Sequence, residues 1–272
     1  MTPEYPVIEE DIEAGEKLRA KGEYAASLDL SQQMLSRTED GDFRMRLLFN
    51  IVSCAACLDR AEIVESAMAE LAEFPQPEYS RVLANLRRAW AETSLGRSAN
   101  ALNILDMDLA TGLFEAADMR IHKYQLCLFK GEALLHLRRP EEALEWLDQA
   151  HALYPTDENS SSIEERKIFG WVEPNIQINR ANCLLALDRL DESIEAAREV
   201  MKFVDHPDLS LLALQYVGEC RAWQGKVQEA LEAYAELKKR LPCRLIDEER
   251  MNQVITNCMA RLEKQHPENR PS

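Results

Sequence analysis

Apolar side chains recur along this chain at the i, i+3/i+4, i+7 spacing of amphipathic helices, and short turn signals cut the pattern into paired segments. The unit is clearest at residues 136–155, HLRRPEEALEWLDQAHALYP. Pro140 suits a first helical turn, and Glu141 and Glu142 follow at the positive end of the helix dipole. Ala143, Leu144, Leu147, Ala150 and Leu153 then form one apolar stripe, and Pro155 stops it.

Relatives of this stretch recur at AKGEYAASL (20–28), CLDRAEIVE (57–65), SLGRSANAL (94–102), HLRRPEEAL (136–144), ALDRLDESI (186–194) and WQGKVQEAL (223–231). The third residue of each is the turn position: Gly22, Asp59, Gly96, Arg138, Asp188 and Gly225. Glycine, and less readily Asp, tolerates the left-handed backbone that closes a helix, whereas Arg138 suits it poorly. Five residues later stands a small side chain, Ser27, Ala101, Ala143, Ser193 or Ala230, with Val64 as the exception. The turn residues are spaced 37, 37, 42, 50 and 37 apart, which is a repeat period and predicts stacked helical hairpins.

These units resemble tetratricopeptide repeats. The second-helix signature of that family, a small residue, an aromatic or bulky residue four later and a proline eight beyond, is matched by Ala143, Leu147, Pro155 and by Ala230, Tyr234, Pro242. Its first-helix signature is matched in part by Leu214, Val217 and Gly218, by Gly131 and Leu134, and by Ala181 and Leu184. Arg221 stands where the family has an aromatic. The resemblance implies an all-α fold, a right-handed superhelical solenoid of antiparallel helix pairs over residues 1–245. It also implies a concave groove lined by the first helix of each pair. Residues 156–172 read as an insertion whose polar first half is a loop and whose SIEERKIF segment makes a short helix. Residues 246–265 carry Met251, Val254, Ile255, Cys258 and Leu262 on one side and read as a capping helix. Residues 266–272 read as a disordered tail.

Counting back thirteen, ten, six, three and two from each turn selects the side chains expected to face the groove. Among them are Phe49, Leu86, Trp90, Leu128, Glu132, Leu135, Asn175, Ile178, Asn182, Gln215, Glu219 and Trp223. Asn179 joins Asn175 and Asn182 on one helical face, where carboxamides offer both donors and acceptors to a bound peptide backbone, or simply form a solvated surface. The third unit has two readings. Leu83, Leu86 and Trp90 are either ordinary core in a shifted register or an aromatic anchor in the groove. Trp90 and Trp223 are the residue type that supplies interface hot spots, although each also suits packing between repeats. Chaperone-adaptor members of the family hold acidic C-termini with clamp asparagines and basic residues. Ile178 stands where a clamp lysine is expected, so that mode is not implied.

The chain of 272 residues carries 32 Lys and Arg against 48 Asp and Glu, a formal charge of −16. Such a surface disfavours nucleic acid and anionic lipid and favours a basic partner. The start, MTPEYPVIEEDIEAG, lacks the pattern of a secretory leader, no apolar run approaches membrane-spanning length, and seven cysteines suit reduced thiols in the cytoplasm. Cys54 and Cys57 form a CAAC pair with no second pair at zinc spacing. The five histidines are scattered, and no phosphate-binding glycine loop or nucleophile elbow occurs. The sequence therefore predicts no catalytic residues, metal or cofactor. It predicts a protein-interaction scaffold or adaptor that holds a partner protein or peptide with an apolar or basic segment, with self-association an open possibility. The alternatives are a repeat protein that senses a peptide or small ligand and, behind it, an enzyme.

Overall fold

The computed structural model describes residues 9–74, 78–116, 119–154, 163–203 and 207–240, with single positions between 249 and 264. It is all-helical, and no strand occurs among the described residues. In chain order the helices are α1 (Glu9–Ala20), α2 (Tyr24–Leu35), α3 (Gly41–Cys57), α4 (Ala61–Glu73), α5 (Glu78–Ser94) and α6 (Ser98–Leu109). A short 3-10 helix (Leu113–Glu115) precedes α7 (Arg120–His136), α8 (Pro140–Ala152), α9 (Ile163–Ala186), α10 (Leu190–Val200), α11 (Pro207–Trp223) and α12 (Val227–Arg240).

Two compact units divide the chain, Met1–His122 and Lys123–Ser272. In the first, each helix from α1 to α6 packs on the next, and the odd helices also pack on one another, α1 on α3 and α3 on α5. In the second, α8 to α12 pack in sequence and α9 packs on α11. Helix α7 lies against α8, where Gly131 faces the side chain of Leu147.

All six turn positions have positive φ: 78° at Gly22, 54° at Asp59, 74° at Gly96, 61° at Arg138, 59° at Asp188 and 72° at Gly225. The hydrogen bonds are the same each time. The turn residue's N–H donates to the carbonyl three residues back and the next N–H to the carbonyl five back, as in Gly22 to Arg19 and Glu23 to Leu18, or Arg138 to Leu135 and Arg139 to Leu134. This paired cap satisfies carbonyls that would otherwise be orphaned at the helix end. Arg138, the poorest match by residue type, takes the same conformation, because the hairpin requires it.

The small residue after each turn is buried, Val64 included. The two serines do more than make room. Ser27 Oγ donates to the Gly15 carbonyl at 2.7 Å, and Ser193 Oγ donates to the Ala181 carbonyl at 2.8 Å. Each of these hydroxyls in turn accepts a thiol 27 residues on, from Cys54 and Cys220, both at 3.3 Å. A buried hydroxyl is thus partnered on both sides, which removes the penalty for burying it. Gly131 meets a harder limit: a Cβ there would lie 2.6 Å from Leu147 Cγ, whereas at Gly218 it would lie 3.1 Å from the Tyr234 ring.

Helix α9 differs from expectation. The short helix expected within the insertion is not separate: Ile163–Ala186 is one continuous helix with Pro174 inside it. No glycine-proline or Asn-Gly breaker falls between the two segments. The loop expected ahead of it lies at residues 155–162, outside the described residues, as does the tail 266–272. Most of 246–265 is likewise outside them. The described positions there are helical, and Ile255 and Met259 pack against Leu211, Val227, Tyr234 and Leu237 of α11 and α12.

Arg138→Gly should raise the melting temperature, because glycine relieves about 1–2 kcal/mol of left-handed strain less part of its larger unfolded-state entropy. Asp59→Gly and Asp188→Gly should raise it less. Gly131→Ala should destabilise by about 1–2 kcal/mol and Gly218→Ala by less, since only the former forces a buried leucine to move. Thermal and urea denaturation of the five variants decide both orders.

Candidate functional site

The polar surface of the second unit's odd helices is the best-defined candidate. On α9, Asn175, Asn179 and Asn182 share a face by their 4- and 3-residue spacing, and all three are half-buried. Asn179 Nδ2 donates to Glu132 Oε1 of α7 at 3.0 Å, which ties the two helices across the wall. On α11, Gln215, Glu219 and Trp223 share a face, and Gln215 Nε2 donates to Glu219 Oε1 at 2.8 Å. Leu135 at the end of α7 is half-buried. Trp223 is 72% exposed, one of few large apolar side chains in that state.

Charge compensation is incomplete here. Neither Glu132 nor Glu219 has a basic partner within ion-pair distance among the described residues. Burial pushes the Glu132 carboxyl up to about 7, and the Asn179 donor opposes this only in part. Burial also raises Glu219, again against a single amide donor from Gln215. The Tyr216 hydroxyl beside it is pushed up to about 12, by burial first and then by Glu219. Each of these carboxyl groups sits in a partly dehydrated wall, held by an amide alone, where a cation gains more than it would in water.

Other positions selected by the backward count lie elsewhere. Leu86, Leu128 and Ile178, at 2%, 1% and 5% exposure, are interior and offer no face to a partner. The position ten before the turn is core in most odd helices, Ile12 included, so counting it as groove-facing was incorrect for these residues. Phe49 and Trp90 are half-buried against the first unit's core around Leu48, Val52 and Val64. The turn at Gly96 fixes the register of α5. Within it Leu86 is core, and Asn85 beside it is half-buried and donates to Asp108 Oδ1 at 2.9 Å.

The sequence did not reveal the polar cluster beneath a cavity of about 410 Å³ lined by residues of α8, α9 and α10. Glu173, 3% exposed, accepts from Tyr124 Oη at 2.5 Å and Gln177 Nε2 at 2.6 Å, and its Oε1 lies 2.8 Å from His151 Nδ1. Burial and the adjacent Glu173 carboxylate push the Tyr124 hydroxyl far up, so it serves as a donor only. The one available signal was the Glu173/Gln177 spacing on a helical face, which is common to ordinary solvated helices. Every acceptor of this carboxylate is engaged by the protein itself, as in a structural network.

The described residues contain no group of three metal-ligating side chains. Cys54 is buried, its thiol raised by burial, and Cys57 is raised likewise and bonded to the Tyr24 hydroxyl. No described helix is long and apolar enough to cross a membrane. No protein-family model matches the chain, and no curated protein is significantly similar to it.

The raised Glu132 carboxyl carries a sign. Its folded pKa lies above the ordinary 4.5, so its contribution to stability is complete below that value and is lost as pH rises through about 7. Glu132→Gln should match the parent near pH 5 and exceed it near pH 8 by about 1–2 kcal/mol, after discounting for solvent screening at a half-buried site. Urea denaturation at the two pH values measures the difference. Equal gaps at both would place the titration elsewhere.

Proposed function

We propose that the chain is a tetratricopeptide-like array, a right-handed solenoid of helix pairs, and that it acts in the cytoplasm as a non-catalytic scaffold or adaptor. The repeat reading is supported by six hairpins closed by the same left-handed cap and followed by the same buried small position. The functional reading is supported by one observation above the rest: Trp223, 72% exposed, ends a helical face whose other members are Glu219 and Gln215. An aromatic beside an uncompensated carboxylate suits a partner segment that carries a basic side chain next to an apolar one. Asn175, Asn179 and Asn182 extend this wall on α9 with groups able to pair with a peptide backbone. Recognition then works by complementarity, with no cofactor and no covalent step.

The test begins with affinity purification from native cells using the full chain, followed by mass spectrometry of what is retained. Trp223→Ala should weaken the recovered partner at least tenfold, about 1.4 kcal/mol, and leave thermal stability unchanged. Trp90→Ala should instead lower stability by about 2–4 kcal/mol, because that ring packs on the core. A partner that binds Trp223→Ala and Glu219→Gln as tightly as the parent removes the second unit's wall as its site.

A further inference from the structure

The first unit carries an opposite and separate anomaly. Arg19 of α1 has its Nε fully enclosed with no hydrogen-bond acceptor. Its titratable neighbours Tyr24, Cys54 and Cys57 are all pushed up by burial, Tyr24 to about 12, so none supplies a negative charge near neutral pH. Arg87 of α5 also lacks an ion pair among the described residues. It is half-buried by surface, and burial followed by the positive charge of Arg19 pushes its guanidinium down to about 10. Helices α1 and α5 both pack on α3, and that is what brings the two arginines within electrostatic reach.

The carboxylate that acts on Arg87 is otherwise occupied. Glu16 eases Arg87 somewhat, but it accepts from Arg46 Nη2 at 3.1 Å, and Arg46 also pairs with Glu9. Arg46 thus engages both Glu9 and Glu16, and neither Arg19 nor Arg87 has an ion pair of its own among the described residues. This occurs in a chain with formal charge −16, where carboxylates are abundant and a local one would be easy to supply. Two guanidiniums that repel one another in a partly dehydrated place raise the energy of the empty protein, and the group that offsets this is an anion with oxygens for their N–H forks.

We propose that Arg19 and Arg87 form a binding site for an oxyanion, a carboxylate or a phosphate, on the first unit. The site is independent of the basic-segment reading for the second unit. It predicts that one partner or ligand brings negative charge to a protein whose overall charge would repel it.

The experiment compares melting of the full-length protein in sodium phosphate, sodium acetate and sodium chloride at matched ionic strength and pH. Phosphate, acetate or both should raise the parent's melting temperature by about 2–4 °C over chloride. A rise in phosphate alone assigns a phosphoryl group, and a rise in both admits carboxylates. Arg87→Gln and Arg19→Gln should abolish the rise, while Arg88→Gln, an exposed neighbour on the same helix, should keep it. In chloride Arg87→Gln should melt at or above the parent, because it removes the repulsion, and circular dichroism checks that it is folded. The proposal is overturned if neither anion exceeds chloride, if the rise survives in both glutamine variants, or if Arg87→Gln is folded but melts well below the parent in chloride.

Discussion

The constraint on which the rest depends is the left-handed residue that closes each hairpin. It reverses the chain within three residues while satisfying two carbonyls of the preceding helix. Once the reversal is set, the residue five positions on faces the helix just completed, and only a small side chain, or Val64, fits there. Close approach then places Gly131 on Leu147 and Gly218 on Tyr234, and pairs Ser27 and Ser193 with the carbonyls of Gly15 and Ala181. The interior is built outward from these approaches, and the larger leucines and aromatics fill what remains.

Polar groups show a second regularity. Where the protein wants a buried charge for structure it surrounds it: Glu173 has Tyr124, Gln177 and His151. On the odd-helix surfaces it does not. Glu132 and Glu219 receive one amide each, and Arg19 and Arg87 receive nothing acidic of their own. Incomplete compensation lowers stability and is not required by packing, since a glutamine or leucine of similar volume would fit. Retaining it is understandable if a second molecule completes the charge balance.

The hairpins were legible because a reversal needs a particular backbone conformation, and few residues adopt it cheaply. Gly22, Gly96 and Gly225 announced it, and Asp59 and Asp188 were readable by analogy. Arg138 was recoverable only from the period. The surface was less legible. Helical spacing separates two faces, but the odd helices are wedged between two partners and so have three, which is why Leu86, Leu128 and Ile178 were misassigned while Glu132 and Asn179 fell where they meet. The Tyr124–Glu173 bond joins residues 49 apart, and the Arg19–Arg87 encounter depends on how α1 and α5 flank α3. No local pattern encodes either.

The five described cysteines are all free, and Cys54, Cys127, Cys183 and Cys220 are buried, with thiols raised by that burial, whereas Cys57 is exposed. A thiol held protonated inside a packed wall reacts with an alkylating reagent only when that wall opens. Cys54 sits in the first unit and Cys127, Cys183 and Cys220 in the second. The protein thus contains its own reporters of local opening, and their labelling rates, resolved by peptide mass, would show whether the two halves breathe together or apart.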